Sequence, residues 1–123
     1  MATLHLGGQI RSDVSLLEAE AAIRRLDGAA HTLLRVELSS GSTLTIGGGP
    51  GSFVVELAEP PTDRWCVVDP TRGPKPLGLV VGGSLGHYPG HLCVGIEAAL
   101  EAARAFLGGD GERSARLIWS MKT

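Results

Sequence analysis

His87, His91 and Cys93 lie within seven positions of one another, and imidazole and thiolate at short spacing are ligands for zinc. A tetrahedral site needs a fourth donor, which Cys66 or His31 would have to bring from elsewhere in the chain. No Cys-x-x-Cys pair and no His-x-x-x-His pair on a helix accompanies them, so the plain reading is a pair of loop histidines beside a packed thiol. The same three residues define the rival reading, a small metal- or thiol-dependent enzyme. Against it, Trp65-Cys66-Val67 and Leu92-Cys93-Val94 place both thiols in apolar sequence, where burial raises a thiol's pKa and makes it inert. Ser52 and Ser84 are read as lacking a Gly-x-Ser-x-Gly elbow, and no two carboxylates share an apolar setting that would separate acid from base.

The run Gly47-Gly48-Gly49-Pro50-Gly51-Ser52 has the composition of a phosphate-cradling loop, but the strand-like Phe53-Val54-Val55 follows it where such a loop needs a helix and a lysine. It is read as a hairpin turn. Trp65 and Trp119 stand out in a chain with five aromatics. Both read as core residues, Trp65 nearer a rim because Asp63 and Arg64 adjoin it.

These residues have to be held by elements that the pattern of apolar positions predicts. A strand over 3–6 and a turn at Gly7-Gly8 precede a helix that begins at the capping box of Ser15 and Glu18. Leu16, Ala19, Ile23 and Leu26 form its apolar stripe, and Gly28 closes it. The period then changes to two, giving strands over 32–38, 42–46, 53–58, 64–68 and 77–81, joined by Ser39-Ser40-Gly41 and by proline-rich turns as one antiparallel meander. Arg35, Glu37, Thr43 and Thr45 should face water, opposite Val36, Leu38, Leu44 and Ile46. A second helix over 92–107 carries Ile96, Leu100, Ala103 and Leu107 on one side, stops at Gly108-Gly109, and leads to a last strand over 115–119. The expected class is α+β, a mostly antiparallel sheet of about six strands with two helices packed on it, in one domain spanning 1–123.

Eleven Lys and Arg against thirteen Asp and Glu leave a formal charge of −2, with no basic run. Direct binding of nucleic acid is therefore not expected, since it requires a basic face. No apolar stretch reaches membrane-spanning length, the start has no secretory signal pattern, and two unpaired cysteines suit a reducing compartment. The expectation is a cytoplasmic protein with no cofactor and no bound metal.

Gly51-Ser52-Phe53-Val54-Val55, Trp65-Cys66-Val67-Val68, Leu79-Val80-Val81-Gly82-Gly83 with Pro89 six residues on, Ala98-Ala99-Leu100 through Phe106-Leu107, and Trp119 together resemble the Imm1 family of immunity proteins. The likeness runs from Leu34 onward. Where many members carry an acidic residue between the paired glycines and the proline, this chain has Ser84-Leu85-Gly86-His87-Tyr88. The resemblance implies a small bacterial α+β protein of a polymorphic toxin system. It would perform no catalysis and would protect its producer by binding a deaminase-type toxin and occluding the active site. Such an enzyme must admit a base into a pocket, so covering that pocket abolishes activity.

The resemblance supplies no contact residues, and these come from the loops. His87, Tyr88 and His91 suit a pocket mouth. Arg72 and Lys75 project from a turn braced by prolines. Glu56, Glu59 and Asp63 would complement a basic groove, with Trp65 at the rim. A structural subunit of a larger assembly is the third reading.

Overall fold

The computed structural model describes residues 2–122. In chain order the elements are β1 (Ala2–Leu6), β2 (Gln9–Ser12), α1 (Leu16–Arg24), β3 (Leu33–Leu38), β4 (Thr43–Gly48), β5 (Phe53–Glu59), β6 (Asp63–Val68), β7 (Leu77–Val81), β8 (Ser84–Tyr88), α2 (Ile96–Gly108) and β9 (Ile118–Met121), with a single 3-10 turn at Gly90–Leu92. Seven strands form one antiparallel sheet in the order β2-β1-β3-β4-β5-β6-β9, while β7 and β8 pair only with each other. The α+β class is as expected.

Strand alternation decides which face each residue takes. Register aligns Leu34 with Ile46 and Val36 with Leu44, then Ile46 with Val55 and Leu44 with Leu57, and all six are buried. Both helices cover this side. Ala19, Ala22 and Ile23 of α1 and Ala99, Ala102, Ala103 and Phe106 of α2 complete the core, the alanines allowing close approach to the sheet. The capping box opens α1 as read: the Glu18 amide donates to Ser15 Oγ at 3.2 Å and the Ser15 amide to Glu18 Oε1 at 3.1 Å. These bonds, with the Arg11 guanidinium, hold the Glu18 carboxyl below its ordinary pKa.

The opposite face of the sheet carries the polar set, where Arg35 and His5 meet Glu37 at 3.0 and 3.6 Å. The β7–β8 hairpin lies across this face as a strap. At its tip the Gly83 amide donates to Thr32 Oγ1 at 2.9 Å, and Val81 rests on Gly47. A Cβ at position 47 would stand 2.5 Å from Val81 Cγ1, so glycine there lets the strap lie flat on β4.

Several sequence expectations need correction. Residues 77–81 do form a strand, but it leaves the meander: Pro70, Pro74 and Pro76 supply no ladder donors, and the chain lifts out of the sheet before β7. The residues of β8 suggest a loop, because serine, glycine and histidine carry no strand signal, yet Gly82 and Gly83 both sit at positive φ, the requirement of a two-residue type I′ hairpin. β2 was missed because all four of its residues are exposed, which leaves no buried partner set to reveal a period of two. Helix α1 ends at Arg24 with Arg25 as its cap, not at Gly28. Gly28 instead lies in a turn where Asp27 Oδ1 accepts the amides of Ala29 and His31 at 2.9 and 3.0 Å. Helix α2 begins at Ile96, not residue 92, because Phe53 and Val94 exchange both backbone bonds at 2.8 and 2.7 Å and hold the chain extended. The last strand starts at Ile118, since Ser114 first folds residues 114–117 into a turn, its Oγ accepting the Arg116 amide at 3.1 Å.

Candidate functional site

The strap and the polar face of the sheet enclose a cleft of about 560 Å³. Thr45, Glu56, Cys66, Ser120 and Lys122 line it from the sheet, and Val81, Tyr88, His91 and Leu92 from the strap and the 3-10 turn. Register explains the sheet side, since Thr45 pairs with Glu56, Glu56 with Cys66 and Cys66 with Ser120. One row of side chains thus crosses four strands on the same face.

Glu56 is the central charge. Its Oε2 lies 3.3 Å from Lys122 Nζ and its Oε1 3.5 Å from Arg64 Nη1, and the carboxylate side chain keeps 28% of its surface exposed. Both partners are more exposed than Glu56 itself, so the carboxylate is held by two long, solvent-screened pairs. The Cys66 thiol beside it is pushed up in pKa, first by burial and then by the Glu56 charge. The thiol is therefore a neutral lining group at physiological pH.

The proposed contact residues do not share one place. Glu56, Tyr88 and His91 come together in the cleft. His87 does not join them. Alternation along β8 turns it outward beside Leu85, whose Cδ1 and His87 Nε2 lie 3.5 and 3.9 Å from where a Cβ on Gly78 would stand. Lys75 is exposed on the approach to β7. Arg72 turns inward, its Nη1 donating to Cys93 O at 2.8 Å and to Ser52 Oγ at 3.4 Å, with Asp69 at 3.4 Å from its Nε.

Asp63 and Glu59 pair at the β5–β6 turn, three residues along the strand from Glu56, so about 10 Å away and on the face that Leu57 takes. Trp65 pairs with Leu57 and packs against the core. The Arg113 guanidinium covers its ring at 3.6 Å from the centroid and reaches Glu59 at 3.6 Å, while its buried Nε1 has no hydrogen-bond partner among the described residues. Trp119 donates its Nε1–H to Ser114 O at 3.0 Å, as a core indole should.

His87, His91 and Cys93 do not converge. Cys93 is fully buried, its Sγ is directed at Pro89 O at 3.6 Å, and burial raises its pKa. Among the described residues no group of three His, Cys, Asp or Glu side chains is placed to hold a metal ion. Ser84 does stand in a Gly-x-Ser-x-Gly spacing, Gly82-Gly83-Ser84-Leu85-Gly86, contrary to the sequence reading. Its setting is a hairpin turn opening a strand, where a nucleophile elbow requires a turn from strand to helix. Of the Gly47–Ser52 run, Gly47 and Gly48 extend β4 beyond the expected end at residue 46, and the remaining four residues make the expected strand-to-strand turn.

Sequence reasoning missed Thr45, Lys122 and Leu92 as cleft residues. The alternation marked Thr45 as outward, but only the register shows that it faces Glu56. Nothing in the sequence places Lys122 against a carboxylate sixty-six residues earlier. What the cleft offers is an apolar bed with a braced carboxylate at its centre and a phenol and an imidazole at its wall. Such an arrangement receives a protruding group by shape and hydrogen bonding.

No helix of the described residues is long and apolar enough to cross a membrane. Among curated proteins none matches the chain. The family model for immunity protein Imm1 matches residues 15–121, a span that takes in α1 and begins well before Leu34. With nearly the whole fold inside that match, the chain belongs to the Imm1 family of immunity proteins.

Proposed function

We propose that this protein neutralises a cognate deaminase-type toxin in the bacterial cytoplasm by seating itself over the toxin's active site. The observation that carries the reading is the cleft on the wet side of the sheet, which gathers Glu56, Tyr88 and His91 in a member of an immunity family. A rigid antiparallel sheet holds that side still, and the strap and the 3-10 turn after it raise an aromatic and an imidazole above it, the form in which a scaffold presents recognition groups. A deaminase that accepts nucleic acid needs a basic approach to its pocket, and Glu56 supplies the opposite sign within the cleft, with Glu59 and Asp63 adding to it at the end of the same strand pair on the other face. The inhibitor blocks by occupancy, without making or breaking a bond.

The test is co-expression with the neighbouring toxin gene, followed by binding measurements on the purified pair. Growth rescue and a co-purifying complex are the expected results. Tyr88→Ala should weaken the complex by roughly tenfold or more, the cost of truncating an aromatic anchor. Asp63→Lys should act mainly on the association rate, as rim charges do. Unchanged affinity in both variants would remove this choice of surface, and a toxin that neither binds nor is silenced would remove the function itself.

A further inference from the structure

β9 is the edge strand of the sheet, and among the described residues no strand pairs with its outer side. Its pairing with β6 fixes which of its backbone groups are used. The Lys122 amide donates to Arg64 O at 2.8 Å, and Cys66 stands opposite Ser120 and Val68 opposite Ile118. In an antiparallel ladder bonded pairs occur at every second residue, so Ile118, Ser120 and Lys122 spend their amides and carbonyls on β6. Trp119 and Met121 therefore turn theirs to the open side. No proline and no bulge blunts this edge, though edges left bare recruit another strand.

We propose that β9 is a docking edge, and that an extended, acidic segment of the toxin adds to it as an eighth strand. This rests on the reading of the chain as a toxin-binding protein and assigns a second contact to that complex. Three observations set the occupant. The free groups are backbone donors and acceptors, which a strand satisfies pair by pair. Ile118 and Met121, 54% and 48% exposed, lie on opposite faces of β9, so an added strand finds an apolar neighbour above and below. From residue 113 to 122 the chain carries Arg113, Arg116 and Lys122 and no carboxylate; Arg113 and Lys122 reach Glu59 and Glu56 at 3.6 and 3.3 Å, and Arg116 has no ion-pair partner among the described residues. A second copy would set its own cations beside these, whereas an acidic strand is complementary. The edge is also continuous with the cleft, because Ser120, Met121 and Lys122 line it.

Met121→Pro tests the assignment. Proline at this position removes an outward amide that β6 does not use and puts its ring where an incoming carbonyl would sit, while its fixed φ is tolerated on an edge. The variant should melt with the wild type and lose toxin affinity by about tenfold or more. Amide exchange on the unaltered protein reads the same claim without a substitution. Ser120 and Lys122 should be protected in the free protein, and Trp119 and Met121 should become protected only when the purified toxin domain is added. If Trp119 and Met121 stay open in the complex, or if Met121→Pro binds at full strength while Tyr88→Ala does not, the edge is not the contact and the cleft reading stands alone. Protection of Trp119 and Met121 in the free protein that rises with its concentration would assign the edge to a second copy and overturn the proposal. Absence of any toxin binding by the wild type would instead fail the function on which it rests.

Discussion

The Arg72 side chain leaves a turn flanked by Pro70 and Pro74, yet its guanidinium points back under the strap to the carbonyl of Cys93. There it satisfies an acceptor next to a fully buried residue, and Asp69, whose own carboxyl is kept low in pKa by the Thr71 hydroxyl and amide, holds it from the other side. Removing a charged donor from such an acceptor costs more than a surface ion pair. Arg72→Ala should lower stability by about 1–2 kcal/mol, read as a fall in melting temperature, with toxin affinity of the folded fraction unchanged. A variant that melts with the wild type but binds poorly would return Arg72 to the contact surface, where its sequence context had placed it. The difference between the two settings was not legible in the chain, because a proline-braced turn announces a projecting side chain but not its direction. Tyr88 and His91 were legible as neighbours of a turn, and Glu56 as an outward strand residue. That His87 parts from them follows from a single register step in β8, and the sequence carried no sign that β8 was a strand.

At the level of elements, what could be read depended on whether one side of an element was buried. β3, β4 and β5 alternate against a core and announced themselves; β2, exposed along its whole length, had no such contrast. The capping box of α1 is a local device and was legible in full, while the start of α2 was decided by the long-range exchange between Phe53 and Val94. A comparable tie fixes the middle of α2 to the turn before β9. Glu101, its side chain 16% exposed, takes two bonds from Arg104 at 2.7 and 2.6 Å and one from the buried Ser114 hydroxyl in the turn before β9. These donors, Arg104 before Ser114, lower its pKa from 4.5 to about 2. A depressed carboxyl stabilises the fold while it is ionised and the unfolded chain is too, so the contribution is complete above pH 4.5 and fades as pH falls toward 2. Glu101→Gln should destabilise the protein at pH 7 by on the order of 1 kcal/mol, the pair being screened at its Arg104 end. It should also flatten the loss of stability between pH 4.5 and 2 seen for the wild type by thermal melts. Parallel pH profiles for the two proteins would show that the tie carries no stability.

For the molecule as a whole, the core and the recognition surface are built from separable parts of the chain. The buried cluster takes Val67 from β6 and next Val94, with nothing between, although Leu79 of the strap and Cys93 are also buried. The two ends of that intervening stretch meet where the Asp69 amide donates to His91 O at 2.8 Å. The strap is thus an excursion that leaves the scaffold and returns to the same place, and whether it can be removed should be judged from its burial and its backbone bonds. Replacing residues 74–88 by a short glycine linker keeps Arg72, Cys93 and the bridge between Phe53 and Val94. It deletes Tyr88 and one wall of the cleft, and uncovers Gly47. The shortened protein should fold cooperatively with a reduced melting temperature, because the cost is confined to Leu79, Val81 and the bonds to Thr32. Its affinity for the toxin should fall by at least about a hundredfold, some 2.7 kcal/mol, as expected when a clustered set of anchors is removed at once. Circular dichroism and calorimetry separate the two claims. A shortened protein that folds and still binds at full strength would place recognition elsewhere on the sheet, and one that no longer folds would make the strap part of the core.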